Sequence, residues 1–483
     1  MYCLKKDVSK NSLHIIKTMK IKTLLMLWAL FIAAYGALAQ TRSVTEAMSI
    51  AESFLSNTAG TNLRSAVGDK TLTVAYTSKS RIQSMPETNN YYVFNRGDNN
   101  GFIIVSADER AIAILGYSNK GNFDYAELSP NLKAWLESYD EQIESLGNQS
   151  TTLSSVPLEQ PEVTTRYAAE LTLDFVTEWG QREPYNDKCP GSGNTKAMTG
   201  CGATAMAQIM YYHKFPKTGT GSHSYAPAAT QYNYGTLTVN FGATTYDWAN
   251  MLPTYTYMGE YTGTATTAQK NAVATLMYHC GVACDMSYGP RSSAVNTDKL
   301  MEGVKKHFNY SNGIELVTMS SVVKVSNDWY TWWDMLKTEI AANRPVLYGG
   351  GGFGGHIWVC YGYDRNNYFA MNWGNDGYAD GYYSLSPLEY ANYNTLQYMI
   401  RGIKPNSPVG NEEVKAQSAL QAYTANGVLY ISGLTAQQSF SVFSITGALV
   451  YQVDAAGETA TVGLPGRGVY IVRSADKAAK AVN

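Results

Sequence analysis

Between residues 349 and 355 the chain sets six glycines around one phenylalanine, then enters the apolar stretch His356-Ile357-Trp358-Val359-Cys360-Tyr361-Gly362-Tyr363. Glycine lacks a Cβ and loses much conformational freedom on ordering, so this run permits a tight or mobile loop beside a cleft. The apolar stretch reads as a buried strand. His356 thus sits where an open loop meets a fixed strand. A lone histidine is usually structural, and this setting keeps a catalytic role open beside that ordinary one. Of the six histidines, His213 falls near the end of a helical stretch, His279 lies in another, and His223 and His307 have no catalytic context.

A second constellation lies upstream, where Met198-Thr199-Gly200-Cys201-Gly202-Ala203-Thr204-Ala205-Met206 reads as a glycine-flanked turn entering a helix. Cys201 is expected at the helix N-terminus, where unpaired N–H groups and the helix dipole stabilise a thiolate and lower its pKa. The alternative is a buried cysteine packed on a helix. A thiolate nucleophile needs an imidazole to hold its proton and return it to the leaving amine, and His356 is the candidate. Further along, Ala370-Met371-Asn372-Trp373-Gly374 is a strand running into a turn. There Asn372 could orient the imidazole and Trp373 shield it. In Trp179-Gly180-Gln181-Arg182 the Gln181 side chain offers an N–H that could join the Cys201 backbone N–H in an oxyanion hole.

The chain has 483 residues, enough for two or three domains. With 37 Lys+Arg against 39 Asp+Glu and no long run of one sign, nothing favours nucleic acid or an anionic membrane as partner. Lys20 and Lys22 precede an apolar run that ends in Ala37-Leu38-Ala39, so residues 19–39 read as a signal peptide. A membrane anchor is the competing reading, though the run is shorter than the ~20 residues of a span. Beyond that segment five cysteines remain, Cys189, Cys201, Cys280, Cys284 and Cys360, an odd number that leaves at least one thiol unpaired. Cys280 and Cys284 lack further ligands at metal-like spacing, so neither a metal nor a cofactor is expected.

Ser43-Val44-Thr45-Glu46 has the form of a capping box ahead of an amphipathic helix. Two β-rich runs, 90–95 and 101–106, flank a Gly/Asp/Asn turn and should pair as a hairpin. A second helix carries Leu132, Trp135, Leu136, Tyr139 and Ile143, and residues 149–170 follow as a cleavable linker. From 171 to 404 a larger domain begins helical and finishes in short strands. After a Pro-bounded connection, residues 409–483 alternate as strands around 429–431, 440–443, 449–451 and 469–472, suggesting a small β-sandwich.

The stretches WGQREPYN, TGCGATAMAQIMYYHKFP, GGHIWVCYGYD and NWGNDGYADGYY, with GFIIVSADERAIAILGYS near the N-terminus, resemble the streptopain family of papain-fold peptidases. The resemblance implies an α+β fold: a two-lobed papain-like catalytic domain at 171–404, preceded by a small α+β inhibitory prodomain at 41–148. It implies a secreted cysteine endopeptidase made as a zymogen, with Cys201 as nucleophile, His356 as base, Gln181 in the oxyanion hole and Trp373 beside the histidine. Expected partners are protein or peptide substrates and the chain's own prodomain. The last segment, with FSVFSITGALVYQV, resembles C-terminal sorting domains of the type IX secretion pathway and implies contact with secretion machinery; the alternative is a generic accessory β-domain. Two rival functions remain. A transglutaminase-like acyltransferase would want an aspartate where Asn372-Trp373 stands, and an inactive protease-scaffold surface adhesin would lack a catalytic group.

Overall fold

The structure, a computed structural model, describes residues 41–57, 71–81, 88–147, 167–227, 232–257, 260–261, 263–324, 328–350, 355–388 and 396–406. Near the C-terminus it describes 420–425, 428–434, 439–444, 448–457, 459–466, 468–474 and 477–482. The signal-peptide reading at 19–39 and most of the 149–170 linker fall outside the described residues. The chain divides into two compact units, residues 1–406 and 407–483.

In order, the first unit runs α1 (Val44–Asn57), β1 (Leu72–Lys79), β2 (Asn89–Arg96), β3 (Phe102–Ser106), β4 (Ile114–Ser118), α2 (Pro130–Leu146), β5 (Leu171–Thr172) and α3 (Cys201–His213). It continues with β6 (Ser222–Tyr225), β7 (Leu237–Asn240), β8 (Thr256–Tyr257), β9 (Glu260–Tyr261), α4 (Thr267–Ala283), α5 (Thr297–Phe308), β10 (Glu315–Thr318), α6 (Met319–Val322) and α7 (Asp328–Ala341). Four strands of the catalytic half come last but one, β11 (Val346–Gly350), β12 (His356–Tyr363), β13 (Phe369–Asn372) and β14 (Gly381–Tyr383), and β15 (Tyr398–Arg401) closes the unit.

Local sequence explains the first elements. Ser43 and Glu46 form the reciprocal cap of α1: the Ser43 N–H donates to the Glu46 carboxylate at 2.7 Å and the Glu46 N–H donates to Ser43 Oγ at 3.3 Å. Ala47 and Ala51 face inward and let α1 lie close on the sheet. The hairpin closes as β2 on β3, with Gly97, Asn99 and Gly101 in the left-handed region the turn requires. Ser129 caps α2 by accepting from the Leu132 N–H, and Pro130 occupies the first turn, where no N–H is needed.

One eleven-stranded sheet runs through the first unit, in the order β1-β2-β3-β4-β14-β13-β12-β11-β15-β10, with β5 pairing to β12, while β6 pairs with β7 and β8 with β9 in separate ribbons. The strands of the N-terminal domain are therefore continuous with those of the catalytic half. The seam is β4 on β14, with Tyr117 opposite Tyr382 and Gly116 opposite Tyr383. Gly116 is required there, since a Cβ would lie 2.7 Å from the Tyr383 ring. Helices α3, α4 and α5 form the other lobe, and α3 packs across β12. Gly349 and Gly350 differ from the sequence reading: both belong to β11 and pair with Ile357 and His356.

The second unit consists of two antiparallel sheets, β16 (Gln421–Ala425), β17 (Val428–Ser432) and β20 (Thr459–Gly463) in one, and β18 (Ser439–Ser444), β19 (Leu449–Asp454), β21 (Val469–Ser474) and β22 (Lys477–Val482) in the other. Leu429, Ile431, Phe440, Val442 and Val472 fill its core. Among the described residues no helix is long and apolar enough to cross a membrane.

Candidate active site

Cys201 is the first residue of α3, and Gly200 caps the helix at φ 87. A Cβ on Gly200 would lie 2.9 Å from Met286 Sδ, and one on Gly202 would lie 2.5 Å from Val295 Cγ1. The glycines flanking the cysteine are thus imposed by the close approach of residues 286–295 to the start of the helix. Ser293 fastens that loop by donating to the Met198 carbonyl at 2.7 Å. Beside it opens a pocket of ≈ 550 Å³ lined by Tyr232 and residues of the 287–294 loop.

The Ile357 backbone N–H reaches the Cys201 thiol, which places His356, the preceding residue and the first of β12, one peptide unit from the sulfur. No hydrogen bond joins the His356 ring to Cys201 among the described residues. Burial pushes the Cys201 thiol above its ordinary value of 9.0, while the N–H groups of Ile357, Gly202 and Cys201 itself pull it down. The lowered pKa expected from the helix N-terminus is therefore not found in this state. The physical reason is that the thiol is desolvated without a cation against it, and backbone donors offset only part of that cost. Burial likewise lowers His356, opposed by the Glu137 carboxylate of α2. Both shifts favour the neutral form of the group.

All five described cysteines are free, and only Cys201 retains appreciable exposure. Burial raises the other four, Cys189 and Cys360 to about 12 and Cys280 and Cys284 beyond that. Reactivity is thereby concentrated at one sulfur. No group of three or more His, Cys, Asp or Glu among the described residues is arranged to hold a metal ion.

Gln181 is half-buried, and its carbonyl accepts the Thr199 N–H at 3.2 Å, which ties the Trp179-Gly180-Gln181 turn to the segment entering α3. Asn372 is buried, and its amide is fully engaged away from His356. Its Oδ1 accepts from Gln208 Nε2 at 3.0 Å and from the Gly374 N–H at 3.1 Å, while its Nδ2 donates to the Thr177 carbonyl at 2.7 Å. Trp373 is buried against Trp358 at 4.9 Å between centroids, and edge-on to Tyr383 at 5.0 Å. Its backbone N–H donates to Asp380, a buried carboxyl that burial raises to about 7 against the pull of Lys120.

Sequence reasoning did not single out the contribution of α2. Asn131, buried at the first turn, donates from Nδ2 to the carbonyls of both Ile357 and Trp373, at 3.1 and 3.0 Å. Trp135, one turn on, stands edge-on to Trp358 at 5.5 Å and to Tyr348 at 6.2 Å. The N-terminal domain thus grips the two strand ends that carry His356 and Trp373. The seam adds Tyr117 donating to Asp364 at 2.8 Å, Ser118 donating to the Asp380 carbonyl at 2.7 Å, and the Lys120–Glu178 ion pair. The only sequence signal for these contacts was the apolar face of α2, which includes Trp135.

A cysteine at a helix N-terminus, a histidine at the start of a strand across from it, and an N-terminal domain packed on the strand end that carries the histidine define a papain-like cysteine protease in its zymogen state. The Peptidase C10 family model matches residues 179–383, and the Spi protease inhibitor model matches residues 39–143. Streptopain of Streptococcus pyogenes is 33% identical over 340 residues, covering 65% of this chain and 81% of that protein. The thiol protease/hemagglutinin PrtT of Porphyromonas gingivalis is 30% identical over 338 residues, covering 66% of this chain and 37% of that protein. The structure of a Prevotella intermedia prointerpain A fragment superposes with a TM-score of 0.56 at 33% identity, covering 69% of this chain and all of that one. The chain belongs to the peptidase C10 family. It is a cysteine endopeptidase with an inhibitory prodomain, related to streptopain and interpain, and its kinship places it among secreted or surface proteases.

Proposed function

We propose that Cys201 is the nucleophile, His356 its general base and acid, and Gln181 a donor to the oxyanion. The observation that carries this reading is that Cys201 is the least buried of the described cysteines and lies against the peptide that bears His356. In the cycle, the thiol proton passes to the His356 ring and Sγ bonds to the substrate carbonyl carbon. The charge that develops on oxygen is held by the Cys201 N–H and the Gln181 side-chain N–H. The C–N bond breaks, His356 delivers its proton to the leaving amine, and a thioester remains. Water, giving a proton to His356, then attacks the thioester, and Cys201 leaves and recovers the proton. Trp373 and Asn372 support the strand end from below; Asn372 acts in the hydrogen-bond frame and not on the imidazole.

Cys201→Ala and His356→Ala are expected to give folded full-length protein without casein hydrolysis, because each removes half of an interdependent pair. Substantial cleavage by either variant would overturn the assignment. Gln181→Ala should lower turnover by roughly tenfold to a thousandfold.

The domain reading extends this: a signal peptide at 19–39, an inhibitory prodomain at 41–148, a linker cut within 149–170, a peptidase domain at 171–404 and a sorting domain at 409–483 that engages secretion machinery. Its support is the division of the chain near residue 406, the separate β core of the second unit, and the resemblance of FSVFSITGALVYQV to sorting domains. N-terminal sequencing of the matured protein tests the linker assignment; a mature start ahead of Ser106 would contradict it.

A further inference from the structure

Helix α3 carries a long polar side chain on the face below Cys201. Gln208, two turns on, is fully buried. Its Nε2 donates to Asn372 Oδ1 at 3.0 Å, and its Oε1 accepts the Trp179 N–H at a long 3.4 Å. Asn372 in turn donates to the Thr177 carbonyl at 2.7 Å. The two amides therefore form a strut with four attachments: α3, the strand end at Asn372, and the chain at both Thr177 and Trp179, just ahead of Gln181.

The turn bearing Gln181 is also confined from outside. A Cβ on Gly180 would lie 2.5 Å from the Asp376 carboxylate, and the Trp179 ring stands edge-on to Tyr211 of α3 at 5.0 Å. Burying a glutamine amide between a helix and a sheet forfeits its hydration, whereas an apolar side chain would fill that seam without such a cost. The two ends of this amide go to two different segments, those that carry Gln181 and Trp373.

We propose that Gln208 is a positioning residue that fixes the Gln181 side chain relative to the Cys201 N–H, so that both donors converge on the oxyanion. This inference rests on the oxyanion role given to Gln181 above. Oxyanion stabilisation depends on donors held before the charge appears, so loosening the strut affects the transition state more than substrate binding. Gln208 itself touches no substrate.

The test is a double-mutant cycle on matured enzyme prepared from the full chain, with turnover expressed per site titrated by an irreversible thiol-directed inhibitor. Gln208→Met is expected to lower kcat about tenfold or more with KM within about twofold. The pH dependence of Cys201 alkylation should stay as in the wild type, because the strut does not touch the Cys201–His356 pair. In the Gln181→Ala background, Gln208→Met should cost little further. If Gln208→Met does not fold, Gln208→Glu, read at a pH where the carboxyl is ionised and can no longer donate to Asn372, gives the same comparison at nearly unchanged volume. Fully additive losses, an effect on KM alone, or a shifted alkylation profile would overturn the proposal. A Gln181→Ala variant with undiminished turnover would instead bring down the oxyanion reading on which it stands.

Discussion

Among the described cysteines four are buried and Cys201 alone is partly exposed, a sharp chemical contrast that maturation is expected to widen. Because burial holds Cys201 above 9.0 in the zymogen, its alkylation by iodoacetamide should keep accelerating as pH rises past 9. Removal of the prodomain frees the Ile357 and Trp373 carbonyls that Asn131 holds beside His356, and on the proposed pairing of Cys201 with His356 the midpoint of that profile should fall. An unchanged profile on maturation would contradict this. Within the prodomain, Asp140 is raised to about 6, chiefly by burial, although its Oδ1 accepts from Ser78 at 2.6 Å and Asn90 at 2.8 Å. Well below pH 3.8 the folded and unfolded chains both keep this proton. As pH climbs toward 6 the unfolded chain releases it first, so stability falls across that interval and levels off above it. The rise from 3.8 to about 6 corresponds to roughly 3 kcal/mol at most. Asp140→Asn retains an oxygen for both donors and should be the more stable form at pH 7. Urea unfolding of Cys201→Ala zymogens with and without this change, at pH 4 and pH 7, measures the difference.

Helix α2 acts as a wedge whose two ends do different things: Asn131 binds strand-end carbonyls and Trp135 completes an aromatic cluster with Trp358 and Trp373. Truncating a buried tryptophan costs about 3–5 kcal/mol, so Trp135→Ala should loosen the prodomain and shorten the lag before self-processing, as a gel time course would show. Elements built by near neighbours were legible in the sequence. The Ser43–Glu46 cap, the hairpin turn and the Gly-Cys-Gly entry into α3 all depend on residues within a few positions of one another. The grip of Asn131 and the strut at Gln208 were not legible, because each joins positions separated by more than 160 residues through a single amide. Strand β22, with its Lys/Ala sequence, was missed for a related reason: it is a strand because β21 lies beside it, not because its residues favour one.

At the scale of the molecule, the order of domains could be read from pattern and resemblance, but the shared sheet could not, since strand pairing between domains leaves no periodic trace. The second unit has its own core and supplies neither cysteine nor histidine. Truncation near residue 408 should leave kcat/KM largely intact while abolishing delivery to the medium or cell surface. Fractionation of native-host cells tests this, and equal extracellular yield of the truncated enzyme would leave an accessory β-domain. The seam between β4 and β14 has a kinetic corollary. Scission of the linker turns one chain into two without removing a single seam contact, so the immediate product is a nicked, silent complex. Its awakening is a dissociation, faster on dilution and slower when free prodomain is supplied, and it bares the three-residue β14 as a new sheet edge. So short an edge gives other chains little to pair with, and the liberated enzyme is shielded from self-association by the brevity of the strand its inhibitor had occupied.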